Sequence, residues 1–179
     1  MSLDFAEILK YTLPSAILLI GVYFIIGSFF KEDAEKRNFE LRKVMLQENR
    51  KISLPLRLQA YERVILFLER IHPYSLVQRV REPNMSVAEF HLALMKAIRN
   101  EYEYNLSQQM YINADSWVMV MTAKEETLKQ INAIASQLPD NAGSMELSKT
   151  ILEYFMNTDK PMPVQIAINF LKEDVKTLF

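Results

Sequence analysis

The sequence contains no cysteine, only three glycines in 179 residues, and no surplus of either charge: 21 Lys and Arg stand against 22 Asp and Glu. Without cysteine there is no disulfide framework, no thiolate-held zinc or iron–sulfur centre and no thiol nucleophile. Balanced charge argues against nucleic acid as a partner, because that binding draws most of its affinity from surplus Lys and Arg. Gly21 and Gly27 fall in one apolar stretch and only Gly143 lies beyond it, so there is no Gly-rich phosphate loop, no G-x-G-x-x-G and no Asn-Gly hairpin turn. No cofactor motif is present.

What the chain does have, first, is an uncharged run. Tyr11 to Phe30 (YTLPSAILLIGVYFIIGSFF) holds 20 residues without a charge. As a helix it would span roughly 30 Å, the thickness of a bilayer's hydrocarbon core. Eleven of its residues are Leu, Ile, Val or Phe, which together favour insertion by roughly 3 to 7 kcal/mol. Pro14 sits in the first turn, where a missing N–H costs little, and Tyr11 falls at an interface position. A buried core helix of this length would carry a polar face, and a cleaved signal peptide would need a basic leader and a small-residue cleavage site in place of MSLDFAEILK and Phe29-Phe30-Lys31. The expectation is an uncleaved transmembrane helix over 11–30.

Its orientation follows from the flanking cations. Only Lys10 precedes the run, whereas Lys31, Lys36, Arg37, Arg42, Lys43, Arg50 and Lys51 follow it, which places the C-terminal part in the cytoplasm. The Asn-x-Ser sequons at Asn84 and Asn105 fall within or beside helical patterns on that side and carry no weight as glycosylation sites.

Residues 31–179 carry apolar side chains returning at three and four positions, divided by prolines and caps. Ala34, Leu41, Met45 and Ile52 form a broken heptad seam, interrupted by Asn38 and Glu48, in a polar stalk helix over 31–52. After Ser53-Leu54-Pro55 comes a helix with a wide apolar arc, Leu58, Tyr61, Ile65, Leu68 and Ile71 broadened by Val64, Leu66 and Phe67. Pro73 opens a short helix that Pro83 closes. Ser86-Val87-Ala88-Glu89 is a capping box at the start of a helix reaching about Ile112. Asn113-Ala114-Asp115 offers a break and a new cap. Residues 117–121 could be a strand, but the run into Leu128, Ile131, Ile134 and Leu138 favours helix. A turn at 139–143 precedes a helix from Met145 to Met156, and a loop to Pro163 leads into the last helix. The expected fold is all-α: a single N-terminal transmembrane helix followed by a cytoplasmic bundle of five or six helices. The domain plan is a short extracytoplasmic N-terminus at 1–10, the span at 11–30, the stalk at 31–52 and a cytoplasmic helical domain at 53–179.

Three stretches, LPLRLQAYERVILFLERIHP from Leu54 to Pro73, NEYEYNLSQQMYI and SWVMVMTAKEETLKQINAIASQLP, resemble a group of single-pass membrane-anchored helical proteins of the Bacteroidota. The resemblance covers most of the expected cytoplasmic part. It implies residence in the bacterial inner membrane and transfers no catalytic residue.

Few side chains suggest chemistry. Glu69-Arg70-Ile71-His72 matches the E-x-x-H element of di-iron bundles, but three residues before His91 stands Ala88, so the second element is missing and no metal site is expected. There is no G-x-S-x-G and no H-E-x-x-H. Nine methionines follow the apolar run, more in keeping with core filling than with an adaptable groove. Tyr102, Tyr104 and Tyr111 are expected to be half-buried with hydroxyls reaching solvent. The charged residues flanking the wide apolar arc, Arg57, Glu62, Arg63, Glu69 and Arg70, with Tyr61 at its edge, form either a solvated face of weak ion pairs or a partner-binding surface.

Two functional classes follow. One is a non-enzymatic interaction or scaffold protein, held in membrane lipid through 11–30 and presenting its bundle to a protein partner in the cell envelope. Self-association is left open, since no G-x-x-x-G is present. The alternative is a membrane-bound enzyme acting on a lipid or small metabolite from a polar pocket between helices.

Overall fold

The computed structural model describes the backbone of residues 5–139, 141–158 and 161–179; side chains within these are described except at 5–17, 28–30 and 32–35. The described chain is all-α: α1 Phe5–Ile71, α2 Pro73–Val80, α3 Val87–Asn105, a 3-10 turn Leu106–Met110, α4 Ala114–Ala135, α5 Ser144–Met156 and α6 Pro163–Lys176. Two compact units divide within α1, between Ile52 and Ser53.

In the first unit, ten residues of the apolar run, 18–27, have described side chains; the rest of 11–30 lies outside them. All ten are exposed. Leu18, Leu19, Ile20, Val22, Tyr23, Phe24, Ile25 and Ile26 show 48–76% of their surface, on every side of the helix. Among the described residues no helix is long and apolar enough to cross a membrane. Residues 36–52 are exposed throughout, including Leu41, Met45 and Ile52 of the broken seam.

The second unit is built on the apolar faces read from the sequence. Val64, Phe67, Leu68 and Ile71 of α1 join Phe90, Leu94 and Ile98 of α3, Val120 and Ile131 of α4, Leu147 and Ile151 of α5, and Val164, Ile168 and Leu171 of α6 in one buried cluster. Among the pairings of α2 to α6, that of α4 with α6 is the most extensive. The expected break at Ser53-Leu54-Pro55 is absent, and α1 runs through it. Pro55 withholds an N–H from the Lys51 carbonyl, but Lys51, Ser53 and Pro55 are exposed, so water can satisfy that oxygen. Where α1 does end is His72-Pro73: Pro73 takes the first position of α2, which disfavours helical backbone at the residue before it.

The Ser86 capping box forms, with Ser86 Oγ accepting from the Glu89 N–H and the Glu89 carboxylate accepting from the Ser86 N–H. Asn84 precedes it in the left-handed region (φ 65°), the third position of a turn that Pro83 pre-sets. A short bridge between Ser86 and Gly143 then ties the starts of α3 and α5 together, through Ser144 N–H to Met85 O and Val87 N–H to Ala142 O. Asn113 caps α4 by accepting from the Asp115 N–H. Residues 117–121 are helical, as the periodicity favoured.

Two further expectations, besides the break at Pro55, need correction. The helix predicted to reach Ile112 stops at Asn105, whose buried side chain donates to the Glu101 carbonyl, and the chain tightens into a 3-10 turn. Of the nine methionines after the apolar run, only Met95 is buried, with Met85, Met119 and Met162 partly buried against the core; Met45, Met110, Met121, Met145 and Met156 are exposed. Methionine's low polarity made core filling the simplest reading, but most of these lie on the outer faces of their helices.

Ser86→Ala removes the Oγ half of the capping box and leaves the Ser86 N–H donating to Glu89. It should lower the stability of the folded chain by about 1 kcal/mol, read as a shift of the urea midpoint with unchanged slope. A changed slope, or no shift, would contradict this assignment.

Candidate functional site

The last four turns of α1 place side chains on three faces. Positions 60, 61, 64, 67, 68 and 71 are buried. Glu62 and Glu69 are exposed, seven residues apart and so on one face. Arg63 and Arg70, one residue further on and therefore turned by about 100°, line a groove against α3. The six residues expected to share one surface are thus distributed. Arg63 and Arg70 belong to the groove, Glu62 and Glu69 do not line it, and Arg57 donates from Nε to the Tyr111 carbonyl at 3.1 Å. Tyr61 is 1% exposed and lies in the interior. Its ring sits within the apolar arc, so it cannot present itself to a partner.

The groove has a volume of about 670 Å³ and is lined by Arg63, Leu66, Phe67 and Arg70 from α1 and by Asn100, Glu101, Tyr104 and Asn105 from α3. Arg70 holds one oxygen of Glu101 through both Nη2 (2.6 Å) and Nε (2.7 Å). Arg79 of α2 lies 3.5 Å from the same oxygen and donates to the Arg70 carbonyl at 3.2 Å, satisfying one of the free carbonyls in the last turn of α1. Arg63 makes no ion pair or hydrogen bond among the described residues. With Arg70 nearly half exposed, its pair contributes about 0.2–1 kcal/mol. It fixes the shape of the groove more than it stabilises the fold. Tyr104 is 76% exposed and Leu66 59%. Tyr102, by contrast, is half-buried against Trp117 and Phe67, with the Lys124 ammonium 4.1 Å from its ring centre.

A second polar cluster is closed. Asp174 of α6 accepts from Tyr61 Oη and Ser116 Oγ, both at 2.5 Å, and from Asn113 Nδ2 at 3.4 Å; Tyr61 Oη in turn accepts from the Asn113 N–H. Burial pushes the Asp174 carboxyl up, but the hydrogen bonds from Ser116, Tyr61 and Asn113, helped by the nearby Arg57 charge, outweigh it and hold the carboxyl below its ordinary range. Burial, with the bond to Asp174, raises the Tyr61 phenol. A carboxylate that accepts at once from α1, α4 and the α4 cap is a structural tie between three parts of the domain.

His72 is the residue between α1 and α2, so Glu69 and His72 do not share a helix. No group of three metal-ligating side chains occurs among the described residues. His91 Nε2 faces Asn132 Oδ1 at 2.6 Å beside a cavity of about 330 Å³ that Ser136 also lines, while Ser136 Oγ donates to the Ala133 carbonyl. Sequence reading missed a third cavity, of about 470 Å³, lined by Gln130, Tyr154, Phe155, Thr158, Pro161, Met162 and Pro163. Gln130 Oε1 is buried there without a partner among the described residues. Nothing in the helical periodicity distinguishes Gln130 from a solvated residue, since Thr158, Pro161, Met162 and Pro163, which line the cavity with it, come 28 or more positions later.

These features define a class, an all-α helical domain with a basic surface groove between its first and third helices. Within that class the chain belongs to a family of unknown function (DUF7935), which matches residues 3–178 and so runs through both compact units. No curated protein and no solved structure matches the chain.

The Asp174 tie has a sign that can be tested. A carboxyl held below its unfolded value of about 3.9 contributes stability that is present above that value and lost as pH falls through the folded value. Asp174→Asn should cost about 2 kcal/mol at neutral pH and flatten the loss of stability below about pH 4, measured by denaturant unfolding across pH. An unchanged acid limb would contradict the tie.

Proposed function

We propose that this protein is a membrane-tethered, non-enzymatic interaction protein. Its N-terminal helix is held in the bacterial inner membrane with the N-terminus outside, and its helical domain is presented in the cytoplasm to a protein partner of the cell envelope. The observation that carries the tether is the apolar surface at 18–27, exposed on all sides of α1 within a 20-residue uncharged run. A helix apolar all round matches lipid as a solvent and mismatches water. The seven cations that follow it, against one before, support the orientation. The family match includes this run together with the bundle, which supports a single working unit. Tethering raises the effective concentration of the groove near any envelope complex without new contacts.

The reading as an interaction protein is supported by the chemistry of the cavities. In the groove, Glu101 is already committed to Arg70 and Arg79. Beside His91, the one serine gives its proton to a backbone carbonyl, and the histidine faces an amide. Neither arrangement joins a nucleophile to a base.

Because the chain has no cysteine, single engineered ones report topology directly. A maleimide that cannot cross the membrane should label Ser2→Cys and leave Asn141→Cys unlabelled in spheroplasts, with both labelled after detergent. The reverse pattern, or equal labelling of both before detergent, contradicts the assignment.

A further inference from the structure

We infer that the α1–α3 groove receives an acidic amphipathic helix from the partner protein. This rests on the interaction reading above and names the chemistry of what is bound.

Two guanidinium groups, Arg70 and Arg79, divide the single charge of Glu101 between them, and a third, Arg63, lines the same groove. Arg63 has no counter-charge among the described residues. The groove lining, with Arg63 and Arg70 against Glu101, therefore carries a formal excess of one positive charge in a chain whose total is −1, and Arg79 adds a further cation at Glu101. The acidic side chains nearest in sequence, Glu62, Glu69 and Glu103, are exposed but do not line it. A ligand bearing carboxylates supplies what the chain itself withholds, and guanidinium groups take carboxylates in a planar, two-point fit.

Shape and surface narrow the ligand further. Between Arg63 and Arg70 the groove runs seven residues of α1, about 10 Å or two helical turns. Its middle is apolar, with Leu66 and Tyr104 exposed on opposite walls above Phe67. A helix laid there would seat an apolar residue between Leu66 and Tyr104, with acidic residues one turn to either side meeting Arg63 and Arg70. That is the helix-in-groove mode of recognition, in which anchors recur at three, four and seven positions. Strand addition has no template, because no sheet edge occurs among the described residues.

The test uses the full-length chain in native membranes, with the photo-crosslinking residue p-benzoylphenylalanine placed in turn at Leu66, Tyr104, Tyr74, Leu92 and Tyr154, all exposed, and the crosslinked peptides mapped by mass spectrometry. Leu66 and Tyr104 should capture one common segment, net acidic, with apolar residues at helical spacing. Arg63→Glu should lower that yield about tenfold, the worth of one charge-assisted contact, while Arg99→Glu, on exposed surface away from the groove, should not. Capture at these two positions of a basic or uncharged segment, of a second copy of the chain, of lipid or of nucleic acid would overturn the inference. So would a yield indifferent to Arg63→Glu, or protein capture only from Tyr74, Leu92 or Tyr154. In those cases capture of another protein at any position leaves the interaction reading standing. Absence of protein capture from all five positions would remove both.

Discussion

Exposed apolar surface on the N-terminal half of α1 is the constraint on which the account of this protein depends. Eight large apolar side chains at 18–26 show about half to three-quarters of their area. Burying such a side chain contributes about 1.5–3 kcal/mol, so leaving eight of them in water forgoes on the order of 10 kcal/mol. That is as large as the whole stability of an ordinary domain, about 5–15 kcal/mol. No rearrangement of one isolated helix removes this cost, because the apolar residues occupy all of its faces. Only a second apolar phase or other protein surface can, and the uncharged length of 20 residues fits the first.

The helical domain follows a different logic. Most of its apolar residues enter the shared core, and those left exposed, such as Leu66, Leu92, Val118 and Met145, are scattered over different helices, so it has no comparable need for lipid. The polar groups drawn into that core are satisfied within it. Tyr61, Ser116 and Asn113 converge on Asp174, and Thr127 and Ser148 return their hydroxyl protons to carbonyls four residues back. At the surface, Arg63 makes no ion pair among the described residues and lines a groove whose carboxylate, Glu101, is already shared by Arg70 and Arg79. A basic groove left open on an otherwise balanced domain is where an interaction protein would keep its specificity.

Much of the helical domain was legible in the sequence, because helix is a local property. Periodicity, the Ser86-Glu89 pair and Asn113 reported elements that form through contacts within a few residues. The failures lie where a distant part of the chain decides. Pro55 reads as a breaker, yet it continues α1, since the turns that follow are held by packing against helices elsewhere in the sequence. Asn105 is polar in a position that reads as helix interior, and its side chain competes for the Glu101 carbonyl.

The candidate site was half legible for the same reason. A helical wheel identified the charged flank of α1 but could not say which of its residues would meet α3. It therefore grouped Arg63 and Arg70 with Glu62 and Glu69, which point elsewhere, and with Tyr61, which α6 draws inward through Asp174. Glu101, Asn100 and Tyr104, the far wall of the groove, belong to a helix some 35 residues away in sequence, and no local pattern couples them to α1.

The proposed lipid solvation of α1 can be tested without knowing any partner. Membranes containing the full-length chain are washed in alkaline carbonate, which strips proteins held by charge or by other proteins, and then floated on a density gradient. Retention of the chain with the floated lipid is the predicted result. Its release into the carbonate supernatant as a dispersed protein, without detergent, would contradict the tether at the centre of the account.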